Sequence, residues 1–136
     1  MIEVRASEVF EHSEGVLDLG DIDPVHDMRV ASRRLRAAME VFEPCFPRKR
    51  YRKALKQVKA LADALGERRD RDVAIDFLNG LAADLPSADN ERLAALVDGL
   101  REEQRRANDE LASFVEAKRL KKLRRRLDKL VEEAGR

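Results

Sequence analysis

Residues 48–65 read RKRYRKALKQVKALADAL. Tyr51, Leu55, Val58, Ala62 and Leu65 recur in this stretch at spacings of four, three, four and three, the period that gathers side chains on one face of an α-helix. Lys49, Arg52, Lys53, Lys56 and Lys59 fall on the opposite side. The segment therefore predicts an amphipathic helix whose solvent face carries a single sign of charge.

The same period continues in both directions. Turn signals are few: Gly20 with Pro24, Pro44 to Pro47, Gly66, Gly80, and Pro86 with Ser87. Between them the spacing predicts a first helix over about 3–19, carrying Val9 and Val16, and a second from Pro24 to about Glu43. Asp23 is placed to cap that second helix, with Pro24 at its first position and Met28, Ala31, Leu35, Ala38, Met39 and Phe42 as its core face. The third helix stops at Gly66. A fourth, about 70–84, would bury Val73, Phe77 and Leu81. A fifth, capped by Ser87 and reaching about 117, uses Leu93, Leu96, Val97, Leu100, Leu111 and Phe114. A sixth, about 119–134, uses Leu120, Leu123, Leu127, Leu130 and Val131. Short connections favour antiparallel neighbours, so the fold class is all-α, an antiparallel bundle of five to six helices in one domain over residues 1–136.

Composition agrees. Ala, Glu, Lys, Leu and Arg make up 77 of the 136 residues, whereas Thr is absent and Ile occurs three times, which leaves a sheet almost nothing but Val to be built from. Hydrophobic residues at 43% suffice for a core, which argues against disorder despite 40% charged residues. No apolar run approaches the roughly 20 residues that span a bilayer, and the N-terminus has neither a basic nor an apolar leader region. Cys45 stands alone, so neither a disulfide framework nor a cysteine-based zinc site is encoded. A cytoplasmic protein without membrane contact or cofactor is the expectation.

The charge total, +1 from 28 basic and 27 acidic residues, conceals separated blocks. Residues 1–25 carry a net −6, residues 26–59 +8, residues 60–117 −7 and residues 118–129 +7. Basic blocks of this size are the footprint of an anionic partner, although solvated helix faces produce them too. Their angular placement adds information. At about 100° per residue, Arg33 lies about 20° from His26, Arg29 about 60° and Arg36 about 80°. Met28, Leu35 and Phe42 lie on the far side. Lys118, Lys121, Lys122, Arg125 and Lys129 likewise oppose the leucine face of the last helix. Like charges at i and i+4 destabilise a helix by a few tenths of a kcal/mol, so a bound anion gives such stripes a physical reason. Arginine suits phosphate because its planar fork engages two oxygens and keeps its charge beside other cations. His26 is either part of this face or an ordinary hydrogen-bonding residue at a helix start.

His26-Asp-Met-Arg29-Val-Ala-Ser-Arg33-Arg34-Leu-Arg36, followed by Leu65-Gly66-Glu-Arg-Arg69-Asp70-Arg-Asp72-Val73, resembles the two motifs of the CHAD domain, the conserved-histidine α-helical domain, in order and spacing. The resemblance implies a helical bundle around a basic channel that binds inorganic polyphosphate, with no catalysis by the domain itself. It is equally compatible with a location at polyphosphate granules. By position it makes His26, Arg29, Arg33, Arg34, Arg36, Lys59 and Arg69 the phosphate-facing set. Arg52, Lys56 and Lys122 join the set on the helical-face argument alone. The family usually has two similar halves, each with its own His/Arg helix. Here the only other histidine, His12, sits in an acidic stretch without an arginine stripe. The chain therefore resembles one half, and a homodimer would rebuild the two-half channel.

Other signals are weaker. Asp70, Asp72 and Asp76 could suggest a magnesium site, but they lack the glycine and terminal glutamate of a calcium loop, and pairing with Arg68, Arg69 or Arg71 accounts for them better. No nucleotide-binding loop, nucleophile elbow or zinc-protease helix occurs, so neither an enzyme nor a metal site is expected. Nucleic acid is the alternative anionic partner, less favoured because aromatics for stacking are scarce. A structural or adaptor bundle is the third reading.

Overall fold

In the computed structural model, which describes residues 1–134, the chain forms five α-helices and no strand among those residues. They are α1 (Ile2–Glu11), α2 (Asp23–Val41), α3 (Arg48–Ala82), α4 (Ser87–Phe114) and α5 (Ala117–Ala134), with a 3-10 turn over Glu43–Cys45 between α2 and α3. The helices pack mainly in sequence order, α1 on α2, α2 on α3 and α3 on α4, while α5 closes the bundle against α1 and α3. This is the antiparallel bundle the periodicity predicts.

The expected core faces of α2 and α5 are the observed ones. Val25, Met28, Leu35 and Met39 on α2 and Leu127 and Leu130 on α5 are at most 1% exposed. Each such burial contributes about 1.5–3 kcal/mol, and Leu35→Ala would cost about 2–5 kcal/mol by opening a cavity among them. Phe42 lies past the end of α2 and is 38% exposed, outside the core.

Four details depart from the sequence reading. The first helix ends at Glu11, after which a loop through Gly15, with φ +77°, returns Val16 to the core. Neither Asp23 nor Ser87 caps its helix through its side chain; instead Asp21 Oδ1 accepts the Asp23 backbone N–H at 3.1 Å. Gly66 does not end a helix, and the third and fourth predicted helices are one helix, α3. A mid-helix glycine costs only about 0.5–1 kcal/mol relative to alanine, an amount that packing on both sides of it outweighs.

The fourth departure follows from the third. Val73 is 47% and Phe77 65% exposed, and Leu81 is also exposed, while the buried residues of that stretch are Arg68, Asp72 and Ile75. Leu96 of α4 is exposed as well. Early in α3 the buried face serves α2 and α5; later it turns to α4, and the Arg68–Asp72 pair is buried there while the expected Val73 and Phe77 are exposed. Asp72 does pair with Arg68, as expected for one member of the aspartate set.

Arg68 is wholly buried and satisfied. Its Nε donates to Asp72 Oδ1 at 2.9 Å, Nη1 to the Val16 carbonyl at 3.0 Å and to Asn108 Oδ1 at 2.7 Å, and Nη2 to the Asp18 carbonyl at 3.2 Å. Gln104 Nε2 donates to the same Asp72 oxygen at 2.6 Å, and Asn108 Nδ2 to the Leu17 carbonyl at 3.0 Å. One guanidinium thus ties the 12–22 loop, α3 and α4 together, which positions the start of α2.

Candidate functional site

α2 and α3 run antiparallel, and the Arg29 side chain of α2 lies against Gly66 of α3. A Cβ built on Gly66 would lie 3.7 Å from Arg29 Nε and 4.0 Å from Nη2. The guanidinium therefore lies along α3 in the space that a side chain longer than alanine at 66 would take. In antiparallel packing a step forward on α2 is a step back on α3. That contact puts His26 toward the Arg69 side of Gly66, and Arg33 and Arg36 toward the Lys59 side.

His26 and Arg33 are exposed, while Arg29, Arg36, Lys59 and Arg69 are half-buried. Arg36 pairs with Glu40 at 3.2 Å within its own helix. Arg29, Arg33 and Arg69 make no ion pair among the described residues. Ser32, buried beside them, donates to the Arg29 carbonyl at 2.8 Å, so its hydroxyl is satisfied inside α2 and adds nothing to the face.

Further along, Arg52, Lys56 and Lys59 line an open depression of about 550 Å³ together with Tyr51 and two acids, Glu43 and Asp63. This end is less strongly cationic than the His26 end. Burial, with Glu43 and Glu40 adding to it, raises the pKa of the Tyr51 phenol.

Two predicted residues lie apart from this face. Arg34 is exposed and is about 140° around α2 from Arg29. Lys122 belongs to α5, whose Arg119, Leu123 and Arg126 border α3 along its other flank with Lys53 and Lys56. Lys56 and Ala60 line both depressions, and Lys56 is the charged residue they share. Arg119 and Arg126 stand beside Leu123 and Leu127 at the border of the leucine face, positions that a count of opposing charges passes over.

A family model of the CHAD domain matches residues 1–136. The chain belongs to the CHAD domain family. No curated protein and no solved structure matches it. In this CHAD domain the first motif supplies the His/Arg side of α2, and the second supplies Gly66, which admits Arg29, Arg69 on the His26 side of that contact, and Asp72, which neutralises the buried Arg68. The two motifs are thus neighbours across one helix pair. Among the described residues no helix is long and apolar enough to cross a membrane.

Proposed function

We propose that this CHAD domain binds inorganic polyphosphate, without catalysing a reaction on it, along the face formed by His26, Arg29, Arg33 and Arg36 of α2 and Lys59 and Arg69 of α3. The observation that carries the reading is the row of guanidiniums without carboxylate partners at Arg29 and Arg33, beside a glycine that leaves one of them room. Holding like charges together costs stability, and an anion spanning several of them removes that cost. Successive forks engage successive phosphates, each contributing modestly, and release of condensed counterions supplies much of the affinity. Arg52 and Lys56 extend the track past Lys59. Arg34 and Lys122 reach it only through another part of a long chain.

A second copy of the domain completes the surface in this proposal. Support comes from the far end of α3, where Val73 and Phe77, with Leu96 of α4, expose apolar area next to the second motif. Light scattering with and without polyphosphate reads the oligomeric state directly, and a monomer in both conditions removes this element.

The test of the main proposal titrates polyphosphate of defined length and a DNA oligomer of equal charge at several salt concentrations. Polyphosphate should bind more tightly at every salt concentration, with steep salt dependence. Equal affinity for the two would transfer the reading to polyanions in general, nucleic acid included.

A further inference from the structure

On the flank of α3 away from α2, a groove of about 350 Å³ lies between α3 and α5. Its floor is apolar: Leu61 and Leu123 are almost fully buried, and Phe114 is half-buried. Its walls are cationic, with Lys53 and Lys56 on α3 and Arg119 and Arg126 on α5, and no carboxylate lines it. The Arg119 guanidinium sits 4.3 Å from the centre of the Phe114 ring, and its Nη1 donates to the Ser113 carbonyl at 3.3 Å, so this fork is held flat at the rim. Gln57 lines the same groove, and its Oε1 is buried without a hydrogen-bond donor in the protein.

The groove continues. Lys53 and Arg126 also border a smaller depression of about 260 Å³ that runs on to Arg50 and Lys129, where Arg50 pairs with Glu133. The order along α3 and α5 is therefore an apolar recess holding an amide, then a run of cations. A bare phosphate chain has no use for the recess, because leucine and phenylalanine floors offer it no hydrogen bonds. A flat heterocycle does: it can lie on the Leu61 and Leu123 floor beside the Arg119 plane, since guanidinium groups stack on aromatic faces, and its exocyclic amine can donate to Gln57 Oε1 once that buried oxygen turns into the groove. The volume is in the range of small-ligand sites.

We propose that the groove between α3 and α5 is a nucleoside polyphosphate site. The base occupies the recess, with Gln57 reading its amine edge, and the phosphates lie on Lys53 and Arg126 toward Lys129. This site shares only Lys56 and Ala60 with the depression that continues the α2 and α3 face, so each can fail without the other.

Calorimetric titration of the full chain with ATP, inosine triphosphate and inorganic tripolyphosphate tests it. ATP should bind at least about tenfold more tightly than tripolyphosphate, and inosine triphosphate, which lacks the amine, should fall between them. Arg126→Ala should weaken ATP binding strongly, Gln57→Leu should abolish the preference of ATP over inosine triphosphate, and Arg29→Ala should leave ATP binding unchanged. Melting curves establish that each variant is folded. NMR contacts between the adenine protons and the Leu61 or Leu123 methyl groups of the unaltered chain provide a readout that needs no variant. Equal affinity for ATP and tripolyphosphate, absence of those contacts, or loss of ATP binding in Arg29→Ala with retention in Arg126→Ala would overturn the proposal.

Discussion

Arg68 and Arg33 are the same residue type in two opposite situations. Arg68 is 0% exposed and donates to a carboxylate, an amide and two carbonyls, whereas Arg33 lies on the surface without an ion pair among the described residues. The first spends its donors within the protein and holds three segments in place; the second keeps them available. Both stand in arginine-rich motifs, so residue type alone does not separate scaffold from binding surface. Burial and partner count do. Arg68 and its neighbour Arg69 make the contrast within two adjacent positions: one faces α4 and the loop, the other is half-buried and has no ion pair among the described residues.

Removing the scaffold arginine should have the largest effect. Arg68→Ala leaves Asp72 as an uncompensated buried charge and should cost about 3–5 kcal/mol in denaturant unfolding. Replacing both partners, as Arg68→Met with Asp72→Leu, should recover part of that loss, because a buried pair exchanged for apolar side chains is often close to neutral. A double variant as unstable as Arg68→Ala would show that the ties to Val16, Asp18 and Asn108 matter more than the ion pair.

The next effect tests the other side of the comparison without touching an arginine. Gly66→Leu fills the space along which Arg29 lies, and should weaken polyphosphate binding and lower its salt slope by about one phosphate contact. Gly66→Ala meets Arg29 only at ordinary contact distance, so binding should persist while the helix gains about 0.5–1 kcal/mol. Unchanged binding in Gly66→Leu would mean that the position of Arg29 against α3 is irrelevant.

A smaller difference is expected between two neighbours on α2. Arg33→Ala should reduce affinity for a short polyphosphate, whereas Arg34→Ala, about 140° around the helix from Arg29, should matter only for chains long enough to leave the face. Equal losses with the short ligand would place both in one site. The smallest effect concerns Tyr51, whose hydroxyl is buried without a partner and whose pKa is raised from 10.0. The folded state favours the neutral phenol. This contribution is therefore intact below pH 10 and is lost as the pH rises through the raised value. Tyr51→Phe should hold its melting temperature better than the parent chain above pH 10 and match or exceed it at pH 7.

The helical faces were legible because apolar side chains at 28 and 35, at 51, 58 and 65, and from 120 to 130 follow a period fixed by backbone geometry. The rotation of the buried face along α3 was not. It depends on which neighbour lies beside each turn, and Arg68 with Asp72 fills core positions with charges that only their partners make tolerable. Gly66 carried a helix-stop signal when read locally, yet its use is tertiary, as room for a side chain from α2. Among the candidate residues, those on the stripe from His26 to Arg36 share a face because the angular argument needs only one helix. Lys59 and Arg69 join them through the register between two helices, which no single-helix pattern contains, and Arg34 shows that adjacency in a motif does not imply a shared direction.

The unpaired α2 guanidiniums are the centre of the proposed polyphosphate face. A salt-dependent titration of defined-length polyphosphate should compare the parent chain with the double variant Arg29→Ala and Arg33→Ala, monitoring helicity alongside. Helicity should be unchanged, binding much weaker, and the salt slope shallower by about two phosphate contacts. Affinity and slope equal to those of the parent chain, in a fully helical variant, would contradict that proposal.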